Sequence, residues 1–219
     1  MSRYQNFIKN FEKAVLKNNR HIEEIEVIAV SKRKEIKDIQ LVIEEGHLSF
    51  GENQLQEVTT KWPEIKKNNL EIKLHFIGGI QSKKLNDIIR SCDVIHTIDR
   101  EKLLPIIKKL DNSILEKKIF FIQVNTGNEA QKSGVSLNNA ESFLEACKNN
   151  KVNIDGLMCL PPINEPPKTH FRIIKEVASK YDLPELSMGM SNDYAQAIEC
   201  GSTFLRLGSV IFGKRDIII

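Results

Sequence analysis

The chain has 219 residues, 41% of them apolar and 28% charged, with a formal net charge of +3. These proportions supply a sizeable core and exclude a largely disordered chain, while the small charge, scattered in pairs such as Lys66-Lys67 and Lys117-Lys118, offers no basic stripe for nucleic acid. No stretch approaches the ~18 apolar residues of a membrane span. The cysteines Cys92, Cys147, Cys159 and Cys200 lie too far apart for a metal or disulfide framework, so a soluble, reduced, cytoplasmic protein with no metal site is expected.

In chain order, an amphipathic helix is predicted over about 3–19, with Phe7, Ile8, Phe11, Ala14 and Val15 on one face. Strands are predicted near 26–31, 47–50, 72–77, 93–97, 118–125, 153–159, 185–188 and 203–207. Between them lie segments of helical spacing, such as Ile36, Ile39, Val42 and Ile43, or Phe171, Ile174, Val177 and Ala178. Eight strand-then-helix units predict an α/β fold, a single (β/α)8 TIM barrel spanning 1–219, because a parallel sheet of that count loses its edges by closing. The segment 161–167, with four prolines, follows the sixth strand and is expected to be a loop on the face where the strands end.

That face is where a barrel keeps its chemistry. The run Val27-Ile28-Ala29-Val30-Ser31 delivers Lys32 there, and an amine so placed can form a Schiff base with an aldehyde if its neighbours lower its pKa or exclude water. A solvated lysine is the other reading, and it is the one expected for Lys34 and Lys37. Phosphates commonly bind at the loops after strands seven and eight. Ser191 stands in the first of these loops as an N-cap for the helical run 192–200. Gly208 and Ser209 stand in the second, though ordinary turn residues would look the same.

Arg206 alternates with Leu205 and Leu207, so it points into the barrel while they point to the helices. A buried guanidinium needs a partner, either a carboxylate such as Glu52 or the ring nitrogen of a bound cofactor. His75 is expected to be a hydrogen-bonded core residue. An aldehyde that also carries a phosphate would satisfy both Lys32 and the cradle, which makes pyridoxal phosphate the candidate ligand.

The segments Val30-Ser31-Lys32, Phe50-Gly51-Glu52-Asn53, His75-Phe76-Ile77-Gly78, His96-Thr97-Ile98-Asp99, Lys132-Ser133-Gly134, Ser187-Met188-Gly189-Met190-Ser191-Asn192-Asp193 and Arg206-Leu207-Gly208-Ser209 occur in this order. Together, over Val27 to Arg215, they resemble the pyridoxal phosphate homeostasis proteins. The resemblance implies a barrel similar to the N-terminal domain of alanine racemase. It implies pyridoxal phosphate held as a Schiff base on Lys32, phosphate ligation by Ser191, Gly208 and Ser209, Arg206 against the pyridine nitrogen, and Asn53 beside the ring. One departure is at 79–84, where Lys83 replaces the asparagine that more often precedes the lysine matching Lys84.

An arginine cannot protonate the ring nitrogen, so the cofactor should be a poor electron sink. Racemases of the related fold add a C-terminal β domain and a tyrosine base. This sequence runs four residues past Arg215, and Tyr4, Tyr181 and Tyr194 do not match that base. The expectation is a monomeric, non-enzymatic carrier that takes part in vitamin B6 homeostasis by buffering pyridoxal phosphate or transferring it to pyridoxal phosphate-dependent apoenzymes. An amino-acid racemase or other pyridoxal phosphate enzyme, and a cofactor-free Schiff-base aldolase, are the alternatives.

Overall fold

Ser2 starts the first helix, α1 (Arg3–Lys17), by a reciprocal cap: its Oγ accepts the Gln5 N–H at 3.0 Å and its own N–H donates to Gln5 Oε1 at 3.2 Å. In this computed structural model, which describes residues 1–129 and 131–213, the helix buries Phe7, Phe11 and Val15. Arg215 lies outside the described residues. Each such side chain contributes about 1.5–3 kcal/mol when fully buried, and Phe7 meets the Tyr194 ring edge-on at 5.9 Å.

The strands close into a ring. The first, β1 (Glu26–Val30), pairs in parallel with β2 (Ser49–Glu52), which continues through β3 (Lys73–Phe76) and β4 (Val94–Ile98) to β5 (Ile119–Asn125). A two-residue strand, β6 (Val135–Ser136), adds to β5, whose other parallel neighbour is β7 (Gly156–Cys159). From there β8 (Glu185–Ser187) and β9 (Phe204–Leu207) lead back to β1. The result is a closed eight-strand parallel barrel with helices outside, as the sequence predicts, plus the unforeseen β6.

Two strands differ from expectation. The second begins at Ser49 rather than 47, because His47 still returns its N–H to the Val42 carbonyl of α2 at 3.3 Å and its ring bonds the Ser49 carbonyl. The sixth begins at Gly156 rather than 153, because Asp155 Oδ2 takes the Phe120 N–H at 2.8 Å where a strand carbonyl would. The outer helices that frame the site are α2 (Ile36–Glu44), α3 (Leu55–Asn68), α4 (Leu85–Ser91), α5 (Leu104–Lys108), α6 (Asn112–Leu115), α7 (Ala140–Asn149) and α8 (Pro167–Lys180). Two short ones, α9 (Tyr194–Glu199) and α10 (Ser209–Phe212), follow β8 and β9. The proline segment 161–167 joins β7 to α8, as expected. Among the described residues no helix is long and apolar enough to cross a membrane.

Strand alternation divides the core. Val27, Ala29, Phe50, Leu74, Leu205 and Leu207 pack against the helices, and Ile28, Val94, Phe121, Met158 and Phe204 fill the barrel. All four cysteines are free and buried, and burial pushes the Cys92 and Cys159 thiols up to about 12.

His47 ties α1 to the barrel. Its Nε2 bonds the Ser49 carbonyl at 2.7 Å and its Nδ1 meets Tyr4 Oη at 3.0 Å. A carbonyl only accepts, so Nε2 carries the proton and Nδ1 accepts from the tyrosine. Burial lowers the His47 pKa to about 4. A histidine held neutral in the fold binds its proton only on unfolding, so its contribution is present above the unfolded pKa and is lost as pH falls from about 6.5 towards 4. Its full size is about 3 kcal/mol. Urea unfolding across that range should show stability falling with pH, with a shallower fall in His47→Gln; equal slopes would contradict this role.

Candidate functional site

Lys32 stands two positions beyond β1, half-buried at the C-terminal rim. The turn that carries it is tied down from outside the barrel. Ser31 donates its N–H to the Gly51 carbonyl at 3.0 Å and its hydroxyl to Glu52 Oε1 at 2.9 Å. Lys61, from α3, donates to the Ser31 carbonyl at 3.0 Å and pairs with Glu52 at 2.6 Å and Glu57 at 2.9 Å. Arg33 follows with φ of 60°, and its N–H is taken by Glu57 at 2.6 Å, which offsets the cost of that left-handed backbone. Beyond it, Lys34 donates to the Phe212 carbonyl at 3.3 Å. The residues on either side of Lys32 are thereby fixed.

Glu52 is therefore not the partner of Arg206. It follows Gly51 on β2 and points outward, where Lys61, Ser31 and the Trp62 indole at 3.2 Å share Oε1. Lys34 also departs from the solvated reading, being half-buried, whereas Lys37 is exposed and paired only with Glu35.

Arg206 points inward as its alternation predicts and is 4% exposed. Its Nη1 donates to Ser187 Oγ at 2.6 Å and its Nη2 to the Cys159 carbonyl at 2.8 Å. Both acceptors are neutral, and among the described residues no carboxylate lies within ion-pair distance of this guanidinium. Burial lowers its pKa from the ordinary arginine value, with Cys159 and Asp193 opposing that shift.

Two loops meet above it. Ser191 Oγ accepts the Val210 N–H at 3.5 Å, which joins the loop after β8 to the one after β9. The expected N-cap role of Ser191 is not seen: the helix begins at Tyr194 behind Asp193, because Asp193 and Tyr194 both return their N–H groups to the Met190 carbonyl in an intervening turn. Gly189 makes that turn possible. Its φ is +95°, and a Cβ there would meet Ala197 Cβ at 2.5 Å and Leu205 Cδ2 at 2.9 Å.

Gly208 has no positive φ to explain it. A Cβ on it would find only Val30, at 3.6 Å or more, so the glycine leaves open the space between the ends of β9 and β1. Ser209 is exposed at the first position of α10. Asn53 is half-buried just past β2, and its backbone lies where a side chain on Gly78 would clash, at 1.9 Å. Lys32, Asn53, Ser191, Gly208 and Ser209 thus share one rim, with Arg206 beneath. Lys61 and Glu57 were not singled out from the sequence, where the one available signal was the 57/61 spacing that puts an acid and a base on one helix face; Ser187 stood in the segment 187–193, but not as a partner of Arg206.

A closed barrel with an amine, a buried guanidinium and hydroxyl-bearing loops at one rim defines a class of proteins suited to small anionic carbonyl ligands. No family model matches the chain. A Pasteurella multocida protein named pyridoxal phosphate homeostasis protein is 31% identical over 219 residues, covering 95% of this chain and 94% of the relative. The structure of PipY from Synechococcus elongatus PCC7942 with PLP bound is 25% identical, with a TM-score of 0.73 over 92% of this chain and 99% of that one. Alanine racemase from Corynebacterium glutamicum shares the fold, at 16% identity and a TM-score of 0.65, over 94% of this chain and 62% of the racemase. The chain belongs to the pyridoxal phosphate homeostasis protein family.

The ion pair below the Lys32 turn sets a stability test. Burial pushes the Glu52 carboxyl up despite Lys61 beside it, so removing the lysine strands a buried acid. Lys61→Met should cost about 3–5 kcal/mol, and adding Glu52→Gln should return part of it. Denaturant unfolding of both variants measures this; a single variant as stable as the parent would show that the pair does not anchor the turn.

Proposed function

We propose that this chain binds pyridoxal 5'-phosphate reversibly at the C-terminal rim, as a Schiff base on Lys32, and buffers or transfers it within vitamin B6 homeostasis. The observation that carries the reading is Arg206, a buried cation with neutral acceptors on two of its nitrogens and no carboxylate within ion-pair distance among the described residues. A pyridine nitrogen offers a lone pair to such a group and asks nothing back. The space left by Gly208 and the hydroxyls of Ser191 and Ser209 suit the phosphate, and Asn53, on the same rim, would flank the ring. The residues present fit the cofactor, and the names of the relatives support the same reading.

When bound, pyridoxal phosphate supplies an aldehyde and an electron-withdrawing ring. Lys32 would be the residue that takes the aldehyde, releasing one water on binding and consuming one on release. Ser191 and Ser209 hold the anion, and Gly208 lets the backbone approach it. Arg206 donates to the ring nitrogen without giving up a proton, which keeps the ring from drawing electrons strongly. That favours storage over turnover, so the protein acts as a carrier rather than an enzyme, as one cytoplasmic, monomeric domain handing cofactor to pyridoxal phosphate-dependent apoenzymes. The tyrosines support this: Tyr4 Oη is engaged by His47, Tyr194 packs edge-on against Phe7, and Tyr181 lies under the Lys180 ammonium at 5.1 Å.

Borohydride reduction of the protein incubated with pyridoxal phosphate, followed by peptide mapping, should place a pyridoxyl group on Lys32. Lys32→Ala should lose both that adduct and the visible absorbance while keeping its unfolding transition; an adduct elsewhere, or none, would remove the assignment. Ser191→Ala and Ser209→Ala should each weaken retention by about 1.5–3 kcal/mol, roughly tenfold to a hundredfold in dissociation constant. Unchanged retention in both would remove the phosphate site, and steady turnover of an amino acid would overturn the carrier role.

A further inference from the structure

Inside the barrel, six inward-facing polar side chains are joined end to end. Arg206 Nη1 donates to Ser187 Oγ at 2.6 Å, Ser187 Oγ meets His96 Nδ1 at 2.9 Å, and His96 Nε2 meets His75 Nδ1 at 2.9 Å. His75 Nε2 then meets Glu26 Oε1 and Ser49 Oγ, each at 2.9 Å. Lys73 holds the other Glu26 oxygen at 2.8 Å, beside an open cleft of about 300 Å³ at the opposite end of the barrel.

The chemistry of the two ends fixes every proton between them. A guanidinium only donates, so Ser187 accepts from Arg206 and its own proton goes to His96 Nδ1. His96 then carries its proton on Nε2 and gives it to His75 Nδ1. His75 in turn carries its proton on Nε2, where Glu26, an acceptor only, receives it. The opposite polarity would leave a bare His75 Nε2 facing a carboxylate, two acceptors in contact, and would strand the Ser187 hydroxyl proton in a buried site.

Apolar rings keep the chain dry. Phe121 stacks on His96 at 4.6 Å with 8° between planes, and Phe204 packs edge-on at 5.9 Å. The charged or titratable groups facing the two imidazoles are Glu26, Lys73, Asp93 and His47 at the lower end and Arg206 at the upper end. Burial leads the influences that hold both imidazoles neutral, and both pKa values lie below the ordinary histidine value, that of His96 well below.

We propose that Ser187, His96 and His75 are positioning residues for Arg206: a hydrogen-bond chain of one polarity, running along the barrel axis to Glu26, that fixes the guanidinium's orientation beneath the rim. The effect on pyridoxal phosphate rests on the function proposed above; the polarity of the chain does not. With one neutral acceptor, Ser187, locked by the imidazoles behind it, Arg206 keeps its remaining N–H groups aimed at the rim.

The test is long-range ¹H–¹⁵N correlation of the histidine rings in the cofactor-free protein, over pH of about 5.5–8. His75 and His96 should each show a protonated Nε2 and a bare Nδ1 throughout, with no titration; a protonated Nδ1, or a ring that titrates in this range, overturns the polarity. Ser187→Ala should shift His96 Nδ1 and the Arg206 side-chain N–H signals, and Ser187→Thr, which keeps the hydroxyl, should restore both. Signals unmoved in Ser187→Ala overturn the coupling to Arg206. In equilibrium dialysis Ser187→Ala should raise the pyridoxal phosphate dissociation constant about tenfold, as expected for one hydrogen bond to a charged group, with rescue by threonine; an unchanged constant overturns the positioning role. Failure of the parent protein to bind the cofactor at all counts against the proposed function instead, and the ring signals of the cofactor-free protein register that difference.

Discussion

A buried guanidinium with no carboxylate at ion-pair distance among the described residues is the constraint around which the interior of this barrel is organised. Desolvating such a charge costs several kcal/mol unless neutral dipoles are aimed at it. Here the Cys159 carbonyl and the Ser187 hydroxyl do that work, and the hydroxyl can do it because His96 takes its proton. The carboxylate that ends this hydrogen-bond chain, Glu26, stands several groups away, and Asp193 acts on the guanidinium only from beyond ion-pair distance. Separating the charges leaves Arg206 stabilised but not neutralised, which a direct Glu–Arg pair would not. The site keeps an electropositive floor.

The rim is held differently. The turn that carries Lys32 is held at its flanks: Ser31 is fixed to β2 and to Lys61 of α3, and Arg33 to Glu57 of α3. Glu52 and Lys61 form a buried pair on the helix side of the sheet, where it stiffens the turn. The loops after β8 and β9 brace each other through Ser191 and Val210. Rigid supports outside and an open space at Gly208 inside are what a site needs to admit and release a ligand without refolding.

The barrel was legible because each strand is a short apolar run and each helix has a regular stripe, both local signals. Arg206 was legible for the same reason, since Leu205 and Leu207 fix its direction. Its partner was not. Placing the second strand at 47–50 left Glu52 outside it, in a loop free to point anywhere; with the strand at Ser49–Glu52, alternation sends that carboxylate outward. Ser187, His96 and His75 lie far apart in sequence, and only the closed ring brings them to one axis. Ser191 misled because a serine before a helical run looks like a cap, whereas the turn through Gly189 delays the helix to Tyr194. The rim residues share one end of the barrel, but position is not chemistry, and their roles rest on the proposed function.

Under that function, the choice of arginine opposite the ring nitrogen decides between storing a cofactor and using it. A carboxylate there would protonate the ring and make it an electron sink. A guanidinium gives one hydrogen bond and keeps its protons even when burial lowers its pKa. Arginine alone does not forbid turnover; a second acid–base group must then be supplied at the rim. Tyr4 lies at the far end of the barrel with its hydroxyl on His47, and Tyr194 is packed against Phe7. The two histidines of the axis are spent on each other and on Ser187. His75 and His96, the pair best suited by type to move a proton, are therefore assigned to holding Arg206 still, and under the proposed function the amine at the rim opens and closes one bond.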